Sequence, residues 1–333
     1  MNQSITLPLS IDVLRMVHSI TSSVLASRVC GTVMPSALAV LRLITNSNLL
    51  DNVLQNRTLI GAFCALCQFI ATGSTLALAD SKIEIKYDVT YLGVTVGSAS
   101  WQLVLSGNQY EINASARIKG MTSVLINGEG SGRARGVFSK GHPFPDHFEA
   151  NVVSPEEIDT IKMVLQTGTV RELVALPPFP PLPARVPVTA GLLQGVLDPL
   201  SAVLIGDGPI ENAPDACKRQ LPIFDGRRRY DVEMSFKRTE EASIPDGIHG
   251  RVMVCTLELT PIAGHQVKSS ALDYLIKSKD IEIWFAPLPE AHMFVPVSAH
   301  VPMLIGTLHI NLEHIGVDTF NSPQVPTLAG RGR

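Results

Sequence analysis

Charged and aromatic residues are both scarce in this sequence. Asp, Glu, Lys and Arg make up 17% of the 333 residues, aromatic residues make up 5%, and the formal net charge is −3. A nucleic-acid-binding surface needs a strong excess of positive charge, so this balance argues against nucleic acid as a partner. Because hydrophobic residues reach 45%, the chain has enough apolar material for a core and is not expected to be disordered.

The motifs of common enzymes are missing as well. The sequence has no G-x-S-x-G nucleophile elbow and no H-E-x-x-H zinc motif. Its glycine-rich run GEGSG lacks the spacing of a phosphate-binding loop and is interpreted as a strand end or bulge. His142, Asp146 and His147 fit no known zinc spacing, even with His309 or His314 added, so we interpret them as loop residues making local hydrogen bonds. The sequence therefore predicts no catalytic residue, metal or cofactor.

Cysteines are few, and their positions differ in meaning. Cys64 and Cys67 form a C-x-x-C pair inside an apolar run, where a thioredoxin-like redox role is not expected. Cys217 and Cys255 are the pair that remains in the C-terminal three quarters of the chain. In an exported protein such an even pair predicts a disulfide, with two free buried thiols as the alternative. The strand residues beside the two cysteines, Leu221–Phe224 and Val252–Leu259, would then pair as neighbours.

A segment near the N-terminus has the three parts of a secretory signal peptide. Arg57 precedes an apolar run from Leu59 to Ile70, and the A-x-A motif Ala77-Leu78-Ala79 comes directly before Asp80. The run is shorter than the roughly 20 apolar residues that a membrane-spanning helix needs. The sequence thus predicts a signal peptide over 57–79, cleavage between Ala79 and Asp80, and a periplasmic location. An uncleaved anchor of 57–79 in the inner membrane is the alternative.

The signal peptide divides the chain into four parts. Residues 1–56 precede it, and we expect them to be a leader that results from a misplaced start codon, the true start lying near 49–57. A genuine helical extension is the alternative. The mature chain would then be one β-rich domain over 80–320, followed by a disordered tail at 321–333.

The mature part shows the alternation of β-strands. In 82–91, apolar residues at every second position predict a strand with one buried face, and further strands follow across turns such as Ser106-Gly107-Asn108. The proline-rich stretch 177–187 cannot be a central strand. Asp198-Pro199 suits the start of a short helix, and 266–279 is a second helix candidate. The later predicted strands cover 123–137, 145–153, 159–166, 169–174, 220–224, 229–236, 251–261, 280–285, 293–298 and 303–312.

The fold class is therefore mainly β, a curved antiparallel sheet or half-barrel with one or two short helices, preceded by the helical signal segment. Few helices would leave the concave face uncovered, and such a face is a natural site for an apolar or amphiphilic ligand. Tyr87, Tyr91, Trp101 and Tyr230 are the candidate ligand-facing residues, because aromatic rings combine apolar area with a polar group. Ordinary core positions are the alternative for all four.

The densest basic cluster is Arg227-Arg228-Arg229. Guanidinium groups bind anions with two parallel hydrogen bonds, so this cluster is a candidate contact for a phosphate or a lipid headgroup. A turn in which the arginines pair with Asp225, Asp231 or Glu233 is the structural alternative, and we prefer it.

Five blocks of sequence resemble the DUF3108 family of exported bacterial proteins, a domain of unknown function. They span roughly 85–315 and leave the leader outside. The resemblance implies a curved antiparallel sheet on an envelope protein, and it implies no enzyme because the family has no agreed activity or catalytic residues. The blocks are YDVTYLGVTVGSASWQL at 87–103, RVPVT and VLDPLSAVL within 185–204, CKRQLPIFDGRRRYDVEM at 217–234, VCTLELTPIAGH at 254–265 and PVSAHVPMLIGTLHINL at 296–312.

Three functions are compatible with these observations. The leading hypothesis is a non-enzymatic envelope protein that binds an apolar or amphiphilic ligand, such as a lipid, on its curved sheet. The second is a structural or assembly factor that contacts other envelope proteins through edge strands. The third, a hydrolase with scattered catalytic residues, has the least support.

Overall fold

The structure is a computed structural model that describes residues 78–118, 128–139, 141–154, 158–178, 185–206, 213–244, 248–267 and 269–320. The leader, residues 57–77 of the signal segment and the tail 321–333 lie outside these ranges. The interpretations of Cys64 and Cys67, and of residues 1–56, therefore stay predictions. Within the described ranges, no helix combines the length and the apolar character needed to cross a bilayer.

Fourteen strands form one antiparallel sheet, which confirms the predicted fold class. Two short helices accompany it, α1 (Ala213–Cys217) and α2 (Ser270–Lys277), and α2 lies where the sequence predicted a helix. The strands are β1 (Leu78–Tyr91), β2 (Val94–Gly107), β3 (Gln109–Ile118), β4 (Glu129–Ser139), β5 (His142–Val153), β6 (Ile158–Gln166), β7 (Thr169–Leu176), β8 (Ile205–Gly206), β9 (Arg219–Phe224), β10 (Arg229–Ile244), β11 (Ile248–Ala263), β12 (Ile281–Leu288), β13 (Met293–Pro302) and β14 (Thr307–Thr319).

The chain's first and last strands meet in the middle of the sheet. The order is β7-β6-β5-β4-β3-β2-β1-β14-β13-β12-β11-β10-β9, with β8 paired to β13. Strand β1 pairs with β14, so that Ile83 lies opposite Val317 and Tyr91 opposite Leu308. The predicted meander of β1 to β7 and the later strands are thereby joined into one sheet, which is not closed by a ladder between β7 and β9.

The sheet is curved so strongly that the regions near its two edges, β7 and β9, touch each other. Strands β6 and β10 are second and twelfth in the order, ten spacings apart, which would be about 50 Å in a flat sheet. Instead, Gly226 in the β9–β10 turn lies against β6, where a Cβ on Gly226 would collide with Ile161. Beside it, Arg227 Nη2 donates to Asp159 Oδ1 of β6 at 2.7 Å. The turn between β9 and β10 therefore holds the two edges of the sheet together.

The short segment from Val196 to Ser201 completes this contact between the edges of the sheet. The backbone N–H of Val196 donates to the carbonyl of Gly168 in the β6–β7 turn at 2.7 Å, and that of Leu197 donates to Pro222 of β9 at 2.8 Å. Asp198 follows, and its Oδ1 accepts from the backbone N–H groups of Leu200 and Ser201, each at 2.9 Å. The predicted helix start at Asp198 is thus a single 3-10 turn, Ser201–Val203. Burial raises the pKa of Asp198 to about 6.

Two hydrophobic clusters form the core, and strands β11, β12 and β13 contribute to both. Along β12, Trp284 and Ala286 belong to the first cluster, while Ile283 and Phe285 belong to the second. Residues 252–255, 283–286 and 293–295 are buried on both faces of these strands, which explains their uninterrupted apolar sequences VMVC, IWFA and MFV.

The open concave face expected from the scarcity of helices is not present. Leu200 packs on the inner side of β4, with its Cδ1 3.1 Å from the position of a Cβ on Gly132. Val196, Leu204 and Phe224 are fully buried in the first cluster together with strands of the meander. The expectation was wrong because a short segment and a hairpin turn cover this face, and neither has the pattern of a long amphipathic helix.

Two local predictions also need correction. Residues 303–306 are the turn between β13 and β14 rather than the start of a strand, and Met303 N–H donates to the Gly306 carbonyl at 2.9 Å. The disulfide between Cys217 and Cys255 is present, with the Cα atoms 5.7 Å apart. However, the strands flanking these cysteines are not neighbours, because β10 lies between β9 and β11. The bridge instead connects α1 to β11.

Removing this disulfide should destabilise the fold. A Cys217→Ala, Cys255→Ala protein is expected to lose about 3–4 kcal/mol of unfolding free energy, because the bridge closes a loop with a sequence separation of 38. Urea unfolding with and without reductant measures the loss. The double variant should be insensitive to reductant, whereas the reduced wild-type protein should match it. Two alkylatable thiols in the non-reduced wild-type protein would contradict the bridge.

Candidate functional site

The four candidate aromatic residues are not brought together. Trp101 is 6% exposed and Tyr87 8%, both in the first cluster, whereas Tyr230 is 5% exposed in the second. The Tyr87 hydroxyl donates to the Pro296 carbonyl at 2.8 Å, and burial raises its pKa. Only Tyr91 lies near the surface, at the end of β1. The burial of the other three is that of core residues.

Trp101 gives a direct test of the core interpretation. Trp101→Ala should cost about 3–5 kcal/mol because it leaves a cavity between strands of the first cluster. Trp101→Phe should cost much less, since the indole N–H has no hydrogen-bond partner among the described residues. Chemical denaturation of both variants provides the comparison. A loss under about 1 kcal/mol for Trp101→Ala would instead place the ring in an open site.

The arginine cluster is engaged within the fold. Arg227 is buried, and besides contacting Asp159 its Nη2 donates to the Pro177 carbonyl at 2.7 Å. The backbone N–H groups of Arg227 and Arg228 donate to Asp225 Oδ1 at 2.8 and 2.7 Å. Arg229 is paired with Asp231. These contacts match the structural alternative, with the addition of Asp159, which the sequence did not indicate. An anion could reach the Arg227 guanidinium only by displacing Asp159.

Breaking this buried pair should be costly. Arg227→Ala is expected to lower the unfolding free energy by about 3–5 kcal/mol, because it leaves the Asp159 carboxylate buried without its cation. Arg228→Ala is the matched control and should cost under about 1 kcal/mol, since Arg228 lies closer to solvent. Denaturant unfolding measures both. An anion site would be supported instead if the unfolding free energy of the wild-type protein rose with phosphate concentration and that of Arg228→Ala did not.

A polar cluster surrounds Trp284. Its ring centroid lies 4.1 Å from that of His300, which is 4.3 Å from that of His309. Trp284 Nε1 donates to Glu240 Oε1 at 2.6 Å. Burial and the neighbouring His309 lower the pKa of His300, which favours a neutral ring. Across the described ranges, no group of three or more His, Cys, Asp or Glu could hold a metal ion.

A small groove crosses strands β1, β2 and β3 beside β14. Its volume is about 200 Å³, and its lining mixes polar and apolar side chains, among them Lys86, Ser98, Ala99, Ala116 and Arg117. Sites for drug-sized ligands are roughly 300–1,000 Å³, so this groove is too small for such a ligand.

Exposed apolar side chains are concentrated at one end of the sheet, where β1 ends and β2 begins. Two turns stand out there, β1–β2 and β13–β14, which are adjacent because β1 pairs with β14. Leu92, Val94, Met303, Leu304 and Ile305, here called the apolar tips, are between 36% and 57% exposed. The same end carries Val153, Ile158, Leu176, Val188, Val267, Tyr274 and Ile276. Elsewhere in the described part of the chain, the exposed large apolar residues are Phe144, Leu173, Val174 and Phe320.

The two turns are built unlike those at the opposite end. There the turns read Ser106-Gly107-Asn108 and Gln166-Thr167-Gly168, as solvated turns do. Leu92 and Gly93 have positive φ values of +51° and +78°, as Thr167 and Gly168 do in the β6–β7 turn, so the difference between the two ends lies in the apolar side chains. The tips also lie in the middle of long uncharged stretches, because no Asp, Glu, Lys or Arg occurs between Asp88 and Glu111 or between Glu290 and Glu313.

The tips are held together by one hydrogen bond and one close contact. The Tyr91 hydroxyl donates to the carbonyl of Ile305, so a side chain of one turn satisfies the backbone of the other. Gly306, at a φ of +74°, lies so close to Leu92 that a Cβ would collide with it. Sequence reasoning missed Met303, Leu304 and Ile305 because their apolar character indicated a strand. The following Gly306 was the available turn signal.

The protein is therefore a large antiparallel β-sheet protein with a disulfide. Its sheet is not closed by a ladder between the edge strands, and its concave face is filled. A family model described as "Protein of unknown function (DUF3108)" matches residues 86–313, and the chain belongs to this family. The resemblance seen in the sequence is thereby confirmed. No curated protein matches the chain.

A solved structure is similar to part of this chain. It is a "Beta-barrel-like Protein of Domain of Unknown Function DUF1849" from Brucella abortus, with a TM-score of 0.40 and 10% sequence identity. The alignment covers 74% of this chain and 100% of that chain.

Proposed function

We propose that the protein is an exported, non-enzymatic protein of the bacterial envelope that acts by binding an apolar surface through its apolar tips. The observation that carries this proposal is the exposure of five large apolar side chains on two adjacent turns. The packing of Leu200 on the inner side of β4 argues against the original idea of a ligand held on the concave face. The proposed contact surface is therefore the end of the sheet that carries the apolar tips, and not the concave face.

Export is supported by two independent features. The segment 57–79 has the parts of a signal peptide, and the disulfide between Cys217 and Cys255 is of the kind that persists in oxidising compartments. The periplasm is the proposed location, with attachment to the inner membrane by an uncleaved 57–79 as the alternative.

A second function, assembly through an edge strand, has its own support. Strand β7 is at one edge of the sheet, and its residues from Arg171 to Val174 are exposed on both faces. An unpaired apolar edge can add a strand from a partner. Against this stands a register irregularity between Val164 and Leu165, which leaves Arg171 without an opposite residue in β6. Bulges and charges of this kind protect edges from pairing.

Export can be tested by N-terminal sequencing. In a Gram-negative host, the protein released from the periplasm should begin at Asp80. Replacing Ala77 and Ala79 by Arg should block processing and leave a larger, membrane-bound species, because the signal peptidase requires small residues at these positions. Deleting residues 1–48 should leave export intact and serves as the control for the leader. Full-length protein in the cytoplasmic fraction would overturn the proposal.

A further inference from the structure

We infer that the apolar tips insert into the interfacial layer of a lipid bilayer and dock this end of the sheet on a membrane surface. The inference rests on the proposed function, that the tips bind an apolar surface, and it names that surface. Three features of the tips favour lipid over a protein partner.

The first feature is how the backbone is satisfied at the tips. A polar backbone group that leaves water for lipid must keep a partner inside the protein, because lipid tails offer none. In the β13–β14 turn, Met303 N–H donates to the Gly306 carbonyl, and the Ile305 carbonyl accepts from the Tyr91 hydroxyl. Tyr91 itself is an aromatic ring with a polar end, the type of side chain that is enriched at membrane interfaces. These turn carbonyls therefore already have partners before any contact forms.

The second feature is the absence of groups that a protein partner would use. Specific protein interfaces form about one hydrogen bond per 100–200 Å². Neither turn carries an Asp, Glu, Lys or Arg, and the nearest such residues in the sequence are Asp88, Glu111, Glu290 and Glu313. The exposed side chains of the tips are aliphatic or thioether groups, which make apolar contacts but no directional hydrogen bonds. Such contacts suit a fluid apolar layer.

The third feature is shape. The tips belong to β13, β14, β1 and β2, four consecutive strands of the sheet, which span about 15 Å at the usual strand spacing. Val301 lies opposite Leu308, and Leu308 lies opposite Tyr91, so both turns begin at the same level. Two convex turns at one level can enter a flat surface together.

Binding to vesicles tests the inference. The whole chain is expressed, and protein whose N-terminal sequence begins at Asp80 is purified, because an uncleaved 57–79 would itself bind lipid. It is mixed with vesicles of three parts phosphatidylethanolamine and one part phosphatidylglycerol. Wild-type protein should float with the vesicles. Leu304→Ser with Ile305→Ser should reduce the partition coefficient by at least about tenfold, since two large apolar side chains are lost from the inserted surface.

Phe144→Ser is the matched control, because Phe144 is 51% exposed but lies away from the tips. It should bind vesicles like the wild-type protein. All variants should unfold at the wild-type denaturant concentration, which shows that the tip variant is folded. In a second readout, the emission of Leu304→Trp should shift to the blue with vesicles and be quenched by brominated lipid, while that of Phe144→Trp should do neither.

The possible failures separate the inference from the proposed function. If vesicles bind neither protein, and the wild-type protein instead self-associates in a way that Leu304→Ser with Ile305→Ser abolishes, the lipid inference is overturned while the apolar contact surface stands. If vesicle binding is equal in the wild-type and tip variants, both the inference and the role of the tips are overturned.

Discussion

The contact between Asp159 and Arg227 is the constraint on which the shape of the molecule depends. It joins strands that are ten positions apart in the sheet, with the guanidinium and the carboxylate both almost fully buried. A charge pair removed from water is stable only if its partners are held in place, so the curvature of the whole sheet must satisfy this geometry. Gly226, which has no Cβ to strike Ile161, allows the close approach beside it.

That curvature has a consequence for function. Because the edges of the sheet meet, the segment around Val196 and Leu200 fills the space on the concave side. An open surface that could bind a ligand is therefore not available there. The remaining apolar surface lies at the ends and edges of the strands. Among the described residues, the end with the apolar tips exposes more large apolar side chains than the opposite end, and edge strand β7 is interrupted by a bulge.

Strands β11, β12 and β13 explain how the protein manages with only two short helices among its described residues. They place alternate side chains into two different clusters, so a single layer of backbone serves two cores. A helix would bury only one stripe, whereas a strand that is covered on both sides buries every residue. The disulfide adds a covalent link on the side of the second cluster, where α1 meets β11.

Much of the fold follows from local pattern, and most of the candidate site does not. The alternation from Ile83 to Tyr91 predicted β1 correctly, and Cys217 and Cys255 were the evident pair, because period and cysteine count are properties of short stretches of sequence. The Asp198 cap was recognisable for the same reason.

Pairings between distant residues were decided only by the tertiary structure. Nothing local to β1 indicates that β14 lies beside it, or that Arg227 would choose Asp159 over the nearby Asp231. Met303, Leu304 and Ile305 have the composition of a strand, and only the turn that brings Gly306 against Leu92 exposes them. Periodicity determines which residues face a core, but which surfaces meet, and which apolar residues are left exposed, depends on packing between segments far apart in the chain.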